Sequence, residues 1–231
     1  MVRRVPLNPV QLLLRGPSSE ELIRFFRALA EEIDAAFANA SVIIPLLEKG
    51  RPAVQARGST RRWQLDEAVR RAASRAGFEA STGYTDPPSW SFPLISLGAF
   101  SVTLGIVDKT RSGRVLRAKG AYVQRMVARN RPLDPQLPLF DEPGSKVPRV
   151  IPPGTFGAMI VVEYSSAQPD SAVYVGFYIP SEDLTQAYYS YSLFDLMVEL
   201  RDADAEVKKP ARRTVARKKV VLKRRPPKKT D

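Results

Sequence analysis

Residues 100–107 read Phe100-Ser101-Val102-Thr103-Leu104-Gly105-Ile106-Val107. Apolar side chains alternate with small or polar ones through most of the run. Successive side chains of a strand point to opposite faces, so Phe100, Val102, Leu104 and Ile106 share one face. This pattern predicts a strand with that face in a core. Just upstream, Phe92–Leu97 predicts a second buried strand ending at Gly98, and Phe78–Thr82 a shorter third. Downstream, Met159–Tyr164 and Ala172–Ile179 predict two more, joined by a hairpin loop over Ser165–Asp170.

The 21 residues from Pro87 to Val107 carry no charge, which is long enough for a membrane span. Pro87, Pro88 and Pro93 break a helix, and Ser91, Ser96, Ser101 and Thr103 interrupt the apolar run, so the two-strand reading is preferred. Near the start, the apolar run Val10–Leu14 is too short for a secretory signal, and no small-residue cleavage site follows it. The expectation is a cytoplasmic protein with no membrane partner, nucleoid-associated if bacterial.

Helices flank these strands. Ser18 and Glu21 have capping-box spacing, and Leu22, Phe26, Leu29, Ile33 and Phe37 form one apolar stripe, predicting a helix over 18–38. The polar segment Lys49–Gly58 reads as a connector. A second helix is predicted from about Thr60 to Ala76, capped by Ser59 and stopped by Gly77. Arg70, Arg71 and Arg75 read as its solvated face. A third helix is predicted from about Arg114 to Arg129, followed by a Pro-rich loop over 131–153. A last helix is predicted from a cap at Ser181, with Leu184, Tyr188, Tyr191, Phe194 and Val198 on one side.

This order predicts an α+β fold with a small mixed or antiparallel sheet of about five strands packed with helices. The boundaries expected are a helical N-terminal segment over 1–57, an α+β domain over 58–206, and a disordered Lys/Arg-rich tail over 207–231.

Composition narrows the chemistry. The 231 residues include no Cys and no His. Disulfides, thiolate nucleophiles and Cys-ligated metals are excluded, along with the commonest general base. No glycine-rich phosphate loop or dinucleotide fingerprint is present. The chain is expected to be non-enzymatic, without cofactor or metal.

Charge points to a partner. The net charge is +12, but Lys208–Asp231 alone holds 12 Lys and Arg against one acid, leaving 24 basic and 23 acidic residues over 1–207. The body is also segregated. Eight basic residues fall between Lys109 and Arg131, with no acid between Asp108 and Asp134. Acids gather instead in Glu182, Asp183, Asp195, Glu199, Asp202, Asp204 and Glu206. Like-charge blocks of this kind face a partner or each other.

In the helix expected over 114–129, Leu116, Val123 and Val127 fall within about 40° of arc. Arg114, Arg125 and Arg129 lie opposite, with Arg117 at their edge. An arginine stripe opposite an apolar stripe is the arrangement a phosphate-backbone contact needs. The other reading pairs this helix with the acidic C-terminal helix.

The tail carries Lys208, Lys209, Arg212, Arg213, Arg217, Lys218, Lys219, Lys223, Arg224 and Arg225 among Pro, Ala, Val and Thr. It resembles in composition the Lys/Pro/Ala tails of histone-like and other nucleoid-associated proteins. Without aromatics it would grip phosphates without reading sequence. The expected partner is nucleic acid, DNA in particular, in DNA maintenance or defence. The alternative is a protein-interaction or regulatory partner with an incidental basic tail.

Two further patterns bear on function. Gln136-Leu137-Pro138-Leu139-Phe140 resembles the clamp-binding peptide of bacterial replication and repair proteins. The resemblance implies that Leu137, Leu139 and Phe140 enter an apolar pocket on a sliding clamp while Gln136 makes hydrogen bonds. The alternative tucks Leu139 and Phe140 into the protein's own core. The order of helix, three strands, helix and strand over 60–164 resembles the core of PD-(D/E)xK nucleases, which implies carboxylates around Mg²⁺ beside a Lys. Asp86 would be the first acid. Asp108 and Lys109 are adjacent, however, and so depart from the acid-x-Lys pattern. A divergent metal-dependent nuclease is the enzymatic alternative.

Overall fold

A computed structural model describes residues 7–46, 51–108, 121–136, 151–165 and 168–208. The helices are α1 (Pro9–Leu13), α2 (Ser19–Ile43), α3 (Arg51–Ala76), α4 (Ala121–Val127) and α5 (Leu193–Lys208). The strands are β1 (Ala80–Tyr84), β2 (Ser91–Leu97), β3 (Phe100–Asp108), β4 (Phe156–Ser165), β5 (Gln168–Pro180) and β6 (Ala187–Ser192). The fold is α+β, as the strand and helix patterns predict. Its six strands form one mixed sheet in sequence order.

Every neighbouring pair is antiparallel except β3 and β4, which run parallel from Phe100↔Phe156 to Asp108↔Tyr164. A parallel pair needs a long crossover. The chain between β3 and β4 supplies it and carries α4.

One face of the sheet packs on α1, α2, α3 and α5. Phe100, Val102 and Leu104 of the alternating run are buried there, as their spacing requires. They meet Leu22, Phe26, Leu29, Ile33 and Phe37 of α2 in one continuous core. Phe177 of β5 sits at its centre, with ring centroids 5.9 Å from both Phe26 and Phe100 in edge contacts. The capping box of α2 is present: Ser18 N–H donates to Glu21 at 2.7 Å and Glu21 N–H to the Ser18 hydroxyl at 3.2 Å.

The other face is covered in its middle by α4, whose Val123 and Val127 pack on Met159, Val161 and Tyr178. Phe156 through Glu163 are therefore buried on both sides of β4. A Cβ on Gly157 would stand 2.7 Å from the Met126 carbonyl oxygen, so only glycine lets α4 lie this close.

Two elements differ from the sequence expectation. The stretch expected as a connector before Ser59 belongs to α3, which runs unbroken from Arg51 through Gly58. Leu65, Ala68, Val69, Ala72 and Ala73 bury the distal part of that helix against the core. Once nucleated there, propagation through one glycine costs only about 1 kcal/mol. The second difference is the helix expected from Ser181. Ser181–Gln186 is instead the turn of a hairpin, closed by Ser181 N–H to Gln186 C=O at 2.9 Å. Ala187–Ser192 is β6, in which Tyr189 and Tyr191 stack at 6.5 Å. Tyr-rich sequence favours a pleated surface. The capping role falls to Ser192, whose hydroxyl accepts from Asp195 N–H at 3.1 Å.

Asn130 fastens the crossover to the sheet. It is fully buried. Its amide N–H groups donate to the carbonyls of Gly157 at 2.8 Å and Pro180 at 2.7 Å, and its oxygen accepts from Gly157 N–H at 2.8 Å. Asn130→Ala should lower the unfolding free energy by about 3 kcal/mol, at about 1 kcal/mol for each bond removed. Urea denaturation measures this, and a loss below about 1 kcal/mol would mean that solvent replaces the amide.

Candidate nucleic-acid interface

The α4 periodicity sends Val123 and Val127 inward and leaves Arg125 and Arg129 exposed. Arg131 follows in a short 3-10 turn and is also exposed. The Arg125 guanidinium lies 3.8 Å from Asp86, with both side chains largely solvated. Such a surface pair is weak and leaves the guanidinium available to an anion. Arg114, Arg117 and the tail from Lys209 lie outside the described residues, and Lys208 is the last residue of α5. In the clamp-like peptide, Gln136 is exposed and its N–H donates to Asp134 at 2.8 Å. Leu137, Leu139 and Phe140 lie outside the described residues.

Asp86 belongs to the loop between β1 and β2, which is tied to itself. The Thr85 hydroxyl donates to Pro87 C=O at 2.8 Å and accepts from the N–H groups of Ser89 at 3.1 Å and Trp90 at 3.0 Å. Thr85 N–H donates to Trp90 C=O at 2.9 Å. The β1–β2 hairpin reaches both neighbouring helices. On the α4 side Arg125 faces Asp86, and Phe92 stacks on Tyr122 at 3.7 Å. On the α3 side Arg70 donates to the Thr82 hydroxyl of β1 at 3.1 Å.

Asp66 is only 4% exposed, and Arg62 Nε lies 3.0 and 3.1 Å from its two oxygens. Burial pushes its carboxyl above the ordinary carboxylate range, while Arg62 and Trp90 pull it back. Farther along α3, Arg71 bonds Glu32 at 2.6 Å and Arg75 bonds Glu31 at 2.6 Å, so these arginines join α3 to α2. Arg71 and burial act in opposite directions on Glu32, and Arg71 prevails, holding that carboxyl low.

A groove of about 610 Å³ lies beside the start of α2, lined by Arg24, Arg27, Arg75 and Arg201. Glu20, Glu31 and Asp204 stand among them and leave a net charge of only +1, so the groove does not form a strongly basic phosphate cradle. The element order that resembles PD-(D/E)xK nucleases is present, but Asp86 sits in the exposed β1–β2 loop facing Arg125. Among the described residues, no group of three or more carboxylates is placed to hold a metal ion. None of the described helices is long and apolar enough to cross a membrane.

Comparison with protein-family models, curated proteins and solved structures finds no match for this chain.

The Asp66 shift has a pH consequence. A carboxyl whose pKa is raised by folding binds its proton more tightly in the native state. Native stability then falls as pH rises from the unfolded value near 4 through the raised native value. Asn at this position cannot titrate but keeps the size of the side chain. Asp66→Asn should therefore gain on the unsubstituted protein as pH rises from about 3.5 to 7. Thermal melts at several pH values read the difference, and a flat or reversed trend would show that Arg62 outweighs burial.

Proposed function

We propose that the protein is a cytoplasmic, non-enzymatic nucleic-acid-associated protein that grips phosphates without reading sequence. DNA is the expected partner, in maintenance or defence. The observation that carries this reading is the segregation of positive charge into the tail and the segment around α4. The exposure of Arg125 and Arg129 opposite buried Val123 and Val127 supports it. Guanidinium groups held on a packed helix meet phosphate oxygens with little loss of freedom. The lack of His and Cys favours binding over catalysis.

The test is the salt dependence of binding to random-sequence duplex DNA. Each phosphate neutralised adds about 0.9 to the log–log slope. Deleting residues 208–231 should weaken binding and lower the slope by several units, at about 0.9 for each phosphate no longer gripped. In the truncated chain, changing Arg114, Arg125 and Arg129 together to Gln should remove the remaining affinity without loss of helix. Equal affinity and slope in full-length and truncated chains would favour the alternative of a regulatory protein with an incidental tail.

Exposed Gln136 favours a second contact, with a protein partner through 136–140. On that reading, Leu139→Ala with Phe140→Ala abolishes pull-down of a bacterial sliding clamp at unchanged melting temperature. A Phe140 packed in the core would instead make the loss about 3–5 kcal/mol, with no clamp bound by either form.

A further inference from the structure

We propose that the outer face of α5 is the docking site of this chain's own C-terminal segment, residues 209–231. This rests on the nucleic-acid reading above and gives the same cations a competing contact within the chain.

The face is built wholly from the described helix. At about 100° per residue, Phe194 and Val198 fall opposite Leu196 and Leu200, which α5 buries in the core. Phe194 is 71% exposed and Val198 39%. One helical turn separates them, so they make a continuous apolar strip on the solvent side. Asp195, Glu199 and Asp202 are exposed along one flank of the strip, and Arg201 along the other. Among the described residues, Glu199 and Asp202 have no cationic partner. An apolar strip edged by unpaired acids fits a segment that carries cations and a few aliphatic side chains.

Residues 209–231 have that chemistry. Eleven Lys and Arg stand against Asp231 alone, with Val215, Val220, Val221 and Leu222 among them. Their reach is sufficient. The helix from Lys208 back to Phe194 is about 21 Å long. Roughly seven residues of extended chain span that distance, at about 3.3 Å each, and 23 are present. Covalent attachment at Lys208 sets an effective concentration on the order of millimolar, which a separate basic peptide does not have. That favours this segment over a partner in trans. The cations held on α5 are those proposed to grip phosphates, so α5 and nucleic acid compete for them.

The experiment starts with the full chain and no nucleic acid. No cysteine is present, so Ala216→Cys carries a single nitroxide label. In nuclear magnetic resonance spectra the label should broaden the amide signals of Phe194–Glu199, the end of α5 far from the tether. Phe194→Ser with Val198→Ser, which changes no charge, should restore those signals without loss of helix. Glu199→Gln with Asp202→Asn should do the same. Asp195 is kept, because the capping Ser192 hydroxyl bonds it at 2.7 Å. Affinity for a random-sequence duplex is then measured at low salt. Apparent affinity scales with the fraction of molecules whose cations are free, so a segment docked about three-quarters of the time predicts a gain of about fourfold in both variants. Signals at 194–199 that stay sharp in the unsubstituted face, or stay broadened in both variants, would overturn the docking. A dimer that Phe194→Ser with Val198→Ser dissociates would place a second copy on the face and overturn this occupant. Restored signals with no duplex binding by any form would overturn the nucleic-acid reading and leave the docked segment standing.

Discussion

The parallel pairing of β3 with β4 is the constraint on which the rest of the structure depends. Two antiparallel three-stranded units meet at that seam, and a parallel seam cannot be closed by a tight turn. The returning chain must cross a face of the sheet. It does so with α4 lying on Gly157 and with Asn130 bonded to the carbonyls of Gly157 and Pro180. A side-chain amide at this point takes up three backbone groups that would otherwise be buried without partners. The basic segment is therefore anchored at its C-terminal end. The sheet directs Arg125 and Arg129 outward, where the helix alone would leave their direction free.

Charge is used differently on the two sides of the sheet. On the α2–α3 side, Arg71 and Arg75 meet Glu32 and Glu31, and the pairs join two helices that already share a core. Each exposed pair contributes little, about 0–1 kcal/mol. Their effect is to fix the register between α2 and α3 and to neutralise that surface. On the α4 side the described arginines have one weak acidic neighbour, Asp86, and otherwise face solvent. The asymmetry separates a structural use of arginine from one suited to an external anion.

Alternation made the strands legible. β3, β4 and β5 follow from period-2 or continuous apolar runs, and α2 follows from its capping box and stripe. β6 and the first half of α3 did not follow, because their local signals point elsewhere. Ser181 looks like a cap and Tyr188, Tyr191 and Phe194 have helical spacing, yet pairing with β5 outweighs that pattern. The polar stretch ending at Gly58 reads as a connector, but a helix extending from a packed C-terminal half tolerates it. For the interface, the exposed Arg125 and Arg129 could be read from periodicity. The exposure of Trp63, Tyr84 and Trp90 could not, since large aromatics read from sequence as core residues.

The aromatics themselves divide into two sets. Phe26, Phe100, Phe156 and Phe177 pack ring against ring in the core, where edge contacts each add about 0.5–1.5 kcal/mol beyond burial. Trp63 of α3, Tyr84 of β1 and Trp90 of the β1–β2 loop keep much of their surface in water. Exposed apolar groups on a sheet edge invite self-association, and natural edges avoid them. Here β1 is only five residues long. The edge thus offers little backbone to a second strand while keeping large ring faces open. Asp66 adds to the contrast. A carboxyl this buried is destabilised by desolvation, and Arg62 at 3.0 Å offsets part of that cost. Packing alone would favour an apolar residue there. The pair with Arg62 of the same helix is what keeps a carboxyl at that position.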